Sequence, residues 1–157
     1  MFLVNAYDLT IDPKNRLSIP NTIRSKMNEE TDGRSFYVVP GERKTILNLF
    51  AERYYEIIRK KRPPIETLKP DTRAFARWEA SMTALVEPDG QGRIVLPDRL
   101  LKFAGLGKDV YLVGAIDHLE LWARDEYDAF HNQMGSSYES IRERAMTEFT
   151  GGVATEG

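Results

Sequence analysis

The sequence predicts an α+β protein made of two tandem copies of one small module. Three observations predict it: a nine-residue block that recurs 77 residues further on, apolar alternation of period two around each copy, and helical periodicity in the stretches between and after them. Asp12-Pro13-Lys14-Asn15-Arg16-Leu17-Ser18-Ile19-Pro20 aligns with Asp89-Gly90-Gln91-Gly92-Arg93-Ile94-Val95-Leu96-Pro97. Both read D-x-x-(N/G)-R-apolar-x-apolar-P. The likeness continues, with small slips, from Phe36–Val39 to Val110–Val113 and from Ile46–Ala51 to His118–Ala123.

Each element follows from local chemistry. Tyr7, Leu9 and Ile11, then Leu17 and Ile19, alternate on either side of Asp12–Asn15, which predicts two strands and a tight turn. Asp opens the turn, Pro13 fits its second position, and Asn15 tolerates a left-handed backbone. Gly92 takes that position in the second copy with no steric cost. Each D-x-x-x-R is therefore expected at the tip of a β-hairpin. Pro20 and Pro97 end the return strands, and Asn21 and Asp98 are the expected N-caps of short helices that stop at Gly33 and at Gly105–Gly107. Strand pairs are expected at 36–39 with 46–50 and at 110–114 with 118–122. Helices are expected from Ala51 to Arg62, ending at Pro63-Pro64, from Thr72 to Thr83, and from Asp125 to Phe149 with an interruption at Gly135-Ser136-Ser137. The module boundaries are 1–62 and 84–149, with a helical bridge at 63–83 and a disordered tail at 150–157.

Composition narrows the function. Among 157 residues, 41% are hydrophobic and 29% charged, a globular mix. No apolar run approaches a membrane span, and the start Met1-Phe2-Leu3-Val4-Asn5 lacks the basic region and apolar core of a signal peptide. There is no cysteine and there are two histidines, His118 and His131, which removes thiol chemistry and leaves little for a metal site. No phosphate-cradling glycine loop, metal-ligand spacing or nucleophile–base pair points to catalysis. The expectation is no enzyme, no cofactor, no metal, no small-molecule substrate and a cytoplasmic location.

The net charge of −2 hides an asymmetry. Residues 1–62 hold 12 Lys/Arg against 8 Asp/Glu, and residues 85–157 hold 7 against 13. A basic working surface at one end is implied. Taken once, Arg16 or Arg93 is only a staple on its own turn aspartate. Taken twice at matched positions, with Lys14 beside one copy, the pair points to double-stranded DNA. A planar guanidinium fork suits phosphate and guanine edges, and a β-ribbon fits a major groove. Arg24, Arg99 and Lys102 on the short helices are candidate phosphate contacts. Asp12, Asn15, Asp89 and Gly92 form the turns. Trp78 and Trp122 are read as core or interface anchors, His118 as a surface residue, and Arg59-Lys60-Lys61-Arg62 as a helix C-terminal run.

The second copy, from Asp89 to Pro97 and on through Val113-Gly114 and Leu119-Glu120-Leu121-Trp122, resembles the MraZ family of bacterial transcriptional regulators. The tandem arrangement and the start Met1-Phe2 resemble it too, so the likeness covers nearly the whole chain. The resemblance implies two tandem swapped-hairpin modules, as in AbrB-type regulators, forming a pseudo-dimeric β-barrel core flanked by helices. It further implies chains assembled in a ring as a homo-oligomer, association with the nucleoid, and binding to direct repeats upstream of division and cell-wall genes, its own operon included. The first copy departs from the family pattern at Pro13 and Asn15. A second reading stands beside this one: an oligomeric structural or antitoxin-like module whose arginines only staple their turns.

Overall fold

A computed structural model of the chain describes residues 1–151. Two compact units divide it, Met1–Arg124 and the segment from Asp125 onward. The first unit contains eight strands: β1 (Ala6–Thr10), β2 (Arg16–Ser18), β3 (Phe36–Pro40), β4 (Ile46–Ala51), β5 (Ala84–Val86), β6 (Arg93–Val95), β7 (Asp109–Gly114) and β8 (Leu119–Ala123). Helices α1 (Asn21–Arg24), α2 (Glu52–Lys60), α3 (Pro70–Met82) and α4 (Asp98–Ala104) lie between them. The fold is α+β with antiparallel pairing throughout.

Six strands form one sheet in the order β1-β7-β8-β4-β3-β5, while β2 and β6 pair separately as a two-stranded ribbon. The expected hairpins β3–β4 and β7–β8 form. The first hairpin of each copy does not. Its turn closes, with the Asp12 amide donating to the Arg16 carbonyl at 3.0 Å and that of Asp89 to Arg93 at 2.8 Å. Beyond the turn the strands part: β1 pairs with β7, β5 with β3, and β2 with β6. Each copy's first strand thus extends the other copy's sheet. The closed β-barrel core is also corrected to an open sheet plus a ribbon. The reason is where β2 and β6 spend their backbone bonds, on each other and not on the edges β1 and β5.

Packing explains why this arrangement holds. Leu17, Ile19, Ile94 and Leu96 point inward from the ribbon region and are buried against Phe36, Val38, Leu47, Leu49, Val110, Leu112, Leu119 and Leu121 of the sheet. Each such side chain removed from water contributes about 1.5–3 kcal/mol. Ile23 of α1 and Leu100, Leu101 and Ala104 of α4 close the same core. Across the sheet, Val39, Phe50 and Tyr55 form a smaller cluster under α2.

Helix ends differ by a residue or more from expectation. Pro20 and Pro97 occupy the N-cap positions, and Asn21 and Asp98 are the first helical residues with no capping bond. Proline's fixed φ already suits the entry to a helix, so the polar side chains are released for other partners. Gly105, at φ 68°, ends α4 as expected, whereas α1 stops at Arg24, well before Gly33. The second unit holds α5 (Arg124–Ser136) and α6 (Tyr138–Phe149), broken at Ser137 close to the expected interruption. The expected disordered tail falls largely on 152–157, outside the described residues. Among the described residues no helix is long and apolar enough to cross a membrane.

Candidate nucleic-acid interface

The ribbon brings the two repeated arginines together. Its register pairs Arg16 with Val95, Leu17 with Ile94 and Ser18 with Arg93. Shifting by the repeat length exchanges the two outer pairs and maps Leu17–Ile94 onto itself, so a pseudo-twofold axis passes between Leu17 and Ile94. Backbone bonds extend the symmetry at both ends, from Ile19 to the Gly92 carbonyl at 2.9 Å and from Leu96 to the Asn15 carbonyl at 2.8 Å. Strand alternation then decides the faces. Leu17 and Ile94 are fully buried, while Arg16, Ser18, Arg93 and Val95 share the opposite, solvent-facing side. The arginines sit diagonally across it.

Both turns use one hydrogen-bond scheme. Asp12 Oδ1 accepts from the amides of Lys14 at 2.9 Å and Arg16 at 2.8 Å, and its Oδ2 accepts Arg16 Nε at 2.6 Å. Asp89 accepts from the amides of Gln91 at 2.9 Å and Arg93 at 3.0 Å, and from Arg93 Nε at 3.0 Å. The Arg16 amide above all, then its guanidinium and the Lys14 amide, holds the Asp12 carboxyl below the usual carboxylate range. The Arg93 and Gln91 amides do the same for Asp89. Asn15 and Gly92 take the left-handed backbone, at φ 61° and 79°. Each arginine binds its aspartate only through Nε. Among the described residues the terminal guanidinium nitrogens make no hydrogen bond, and about 30% of each side chain remains exposed.

The other expected contacts divide. Lys14 is exposed at the first turn. Arg24 crosses from the first copy to the second turn: its Nε donates to the Ile19 carbonyl at 2.9 Å, and its guanidinium packs against Gly92 so closely that a Cβ there would collide with it. Lys102 pairs with Asp98 at 2.8 Å. That ammonium holds the Asp98 carboxyl low, with a further bond from the Asn15 side chain, so Lys102 joins the first turn through Asp98. Arg99 instead reaches the Thr83 carbonyl at 3.4 Å, away from the turns. Ser18 and Val95, the latter 58% exposed, are ribbon residues that reading for charge passes over. Alternation against buried Leu17 and Ile94 is the signal that finds them.

Compared with known proteins, residues 80–149 match a family model described as "MraZ protein, putative antitoxin-like". The protein is similar to the transcriptional regulator MraZ of Mycoplasmopsis pulmonis, 34% identical over 85% of this chain and 87% of the relative. It is likewise similar to that of Syntrophomonas wolfei, 33% identical over 93% and 97%, and to that of Acetivibrio thermocellus, 33% identical over 88% and 92%.

This chain belongs to the MraZ family.

In this MraZ-family fold one polar cluster lies outside the ribbon, and sequence reading missed it. His118 is largely buried, with Nδ1 2.6 Å from Asp117 and Nε2 3.0 Å from Glu120. Trp122 Nε1 donates to Glu120 at 3.1 Å and Tyr54 to Asp117 at 3.0 Å, while Phe50 stacks on the imidazole at 5.0 Å. Glu120 foremost, with Asp117, pushes the His118 pKa up despite burial. His118 is therefore no simple surface residue. The run at Arg59–Arg62 is partly spent on a buried carboxylate, with Arg62 2.7 Å and Arg59 4.0 Å from Glu79. Among the described residues no group of His, Cys, Asp and Glu is placed to hold a metal ion.

Proposed function

We propose that this protein is a DNA-binding transcriptional regulator that docks its β2–β6 ribbon on duplex DNA. The observation that carries the reading is the shared outer face of that ribbon, where Arg16 and Arg93 stand diagonally with their terminal nitrogens unbonded. A two-stranded ribbon is narrow enough for a major groove, arginine suits phosphate and guanine edges, and Val95 offers an apolar contact of the kind a thymine methyl takes. Charge supports it: residues 1–124 hold 20 Lys/Arg against 17 Asp/Glu, while 125–157 hold 2 against 7. Lys14, Arg24 and Lys102 flank the ribbon as phosphate contacts; Arg99 is more distant. The reading includes a non-enzymatic, cytoplasmic, nucleoid-associated role. It also includes the module boundaries 1–62, 63–83 and 84–149, with the strand exchange as the swapped-hairpin arrangement. Ring assembly and direct-repeat recognition upstream of division and cell-wall genes, its own operon included, complete it.

The test is binding to a labelled duplex spanning the region upstream of its own coding sequence. Affinity should fall linearly on a log–log salt plot, as counterion release requires. Arg16→Ala and Arg93→Ala should weaken it with the oligomeric mass unchanged. The Asp–Arg bonds within both turns favour the rival reading, a protein-interaction module whose arginines are staples. Salt-independent retention, or Arg→Ala variants that melt earlier yet bind DNA normally, would select that rival.

A further inference from the structure

Within the ribbon reading, on which this inference rests, we propose that Arg24 is the positioning residue and flanking phosphate contact of the second turn, supplied to it by the first copy. Arg24 stands just past the ribbon, at the end of α1. Ile19 is clamped from both sides, its amide donating to the Gly92 carbonyl at 2.9 Å and its carbonyl accepting Arg24 Nε at 2.9 Å. The guanidinium then lies on Gly92, in the space a Cβ would fill. The glycine serves two needs there, a left-handed φ of 79° and a bare surface for the cation. An open cleft beside it is lined by Arg24, Glu87, Asp89 and Gly90.

The matching place in the first half shows that this is not a requirement of the fold. One repeat length on from Arg24 stands Leu101, an apolar residue buried in the core. The turn residue that lines a cleft with it is Asn15, which has a side chain and uses it on Asp98. One half thus combines a leucine with an asparagine and the other an arginine with a glycine. The second turn also lacks a tip cation, having Gln91 where the first has Lys14, and Glu87 and Asp89 are near it. Without Arg24, two carboxylates would face an approaching phosphate with only Arg93 to offset them. Arg34, on the same cleft, is already paired with Glu29 at 2.6 Å. Arg24 supplies the missing charge.

The experiment separates seating from charge. Arg24→Leu combined with Gly92→Asn transplants the first half's arrangement onto the second, and asparagine tolerates the left-handed backbone. Thermal melts and oligomeric mass should match the parent. Binding to the upstream duplex should fall roughly tenfold and the salt slope by about 1. Arg24→Lys should keep the slope. If the double variant does not fold, Arg24→Gln serves, since its amide can still donate to the Ile19 carbonyl without the charge. Parent-like affinity and slope in the double variant, or in Arg24→Gln, overturns the assignment and leaves the ribbon reading standing. Salt-independent binding by the parent itself overturns the ribbon reading, and this inference with it.

Discussion

The turn at Asp12–Arg16 and the turn at Asp89–Arg93 share every internal hydrogen bond, yet each is held by the other copy with different chemistry. The first is held through Asn15 by Asp98, which also carries Lys102. The second is held through Gly92 by Arg24. In a homodimer a substitution appears at both sites at once, because symmetry writes it twice. Here duplication within one chain has released that constraint. The backbone keeps its pseudo-twofold ribbon while the side chains around it diverge. What must stay equal is the buried scaffold; what can differ is the exposed surface.

Substitutions in the buried scaffold have the largest expected effect. Leu17 and Ile94 are fully buried and face each other across the pseudo-axis. Leu17→Ala and Ile94→Ala should each cost about 2–5 kcal/mol. The double variant should depart from additivity, since register partners share one cavity. Urea unfolding of the set checks this. A difference above about 2 kcal/mol between the single variants would show that the copies are not equivalent even in the core.

The surface half is sharpened by the arginines. Arg16→Ala should weaken duplex binding more than Arg93→Ala, each by about 1–3 kcal/mol if a base edge is contacted. Lys14 stands beside Arg16, while Gln91 stands beside Arg93. Arg24 narrows the gap without closing it. Equal losses in a titration at fixed salt would show that the cation crossing from α1 fully compensates the second turn.

Why charge counted along the chain is an incomplete guide follows from what a single sequence can reveal. The duplication, the left-handed Asn15 and Gly92, the hairpins β3–β4 and β7–β8, and the break between α5 and α6 are all local, and all were legible. Partner choice was not. Period-two alternation at Tyr7, Leu9 and Ile11 says that one face is buried and is silent about which strand lies alongside. The turn chemistry at Asp12–Arg16 suggests that its own flanks pair, and the turn forms as that chemistry requires while the flanks go elsewhere. Arg24 was legible as a cation, but its place beside Gly92 depends on the strand exchange. In the cluster at His118, Asp117, Glu120 and Trp122 are near in sequence, but the Phe50 and Tyr54 that bury the imidazole come from β4 and α2, which local reading does not place there.

A smaller effect tests the turns alone. Gly92→Ala should destabilise by about 1–2 kcal/mol, because the left-handed backbone disfavours a side chain and Arg24 occupies the space. Asn15→Gly should cost less, about 0.5–1 kcal/mol, as glycine adopts the same φ freely and only the bond from the Asn15 side chain to Asp98 is lost. Thermal melts of the two variants measure the contrast. A cost for Gly92→Ala that stays the same in an Arg24→Ala background would mean that Arg24 moves aside and does not seat the turn.

The smallest expected effect lies where the copies differ inside the sheet. The aligned segments read Ile46, Asn48 and Phe50 in the first copy and His118, Glu120 and Trp122 in the second. The second copy has gained an imidazole between two carboxylates. Glu120, then Asp117, raises the His118 pKa, and His118 in turn lowers that of Glu120. Burial works against Asp117, yet the bonds from His118 and Tyr54 bring its carboxyl below the usual range. The signs follow. A raised histidine contributes stability that is fully present below its unfolded pKa of about 6.5 and is lost as pH rises through the folded value. The lowered carboxylates contribute above their unfolded values near 4 and lose it as pH falls. His118→Gln should therefore cost most between about pH 5 and 6, by under about 1 kcal/mol, and the deficit should shrink on the alkaline side. Denaturant midpoints of parent and variant from about pH 5 to about pH 9 decide it. A deficit that stays constant or grows with pH would mean that His118 is held neutral, and that packing against Phe50 is its contribution.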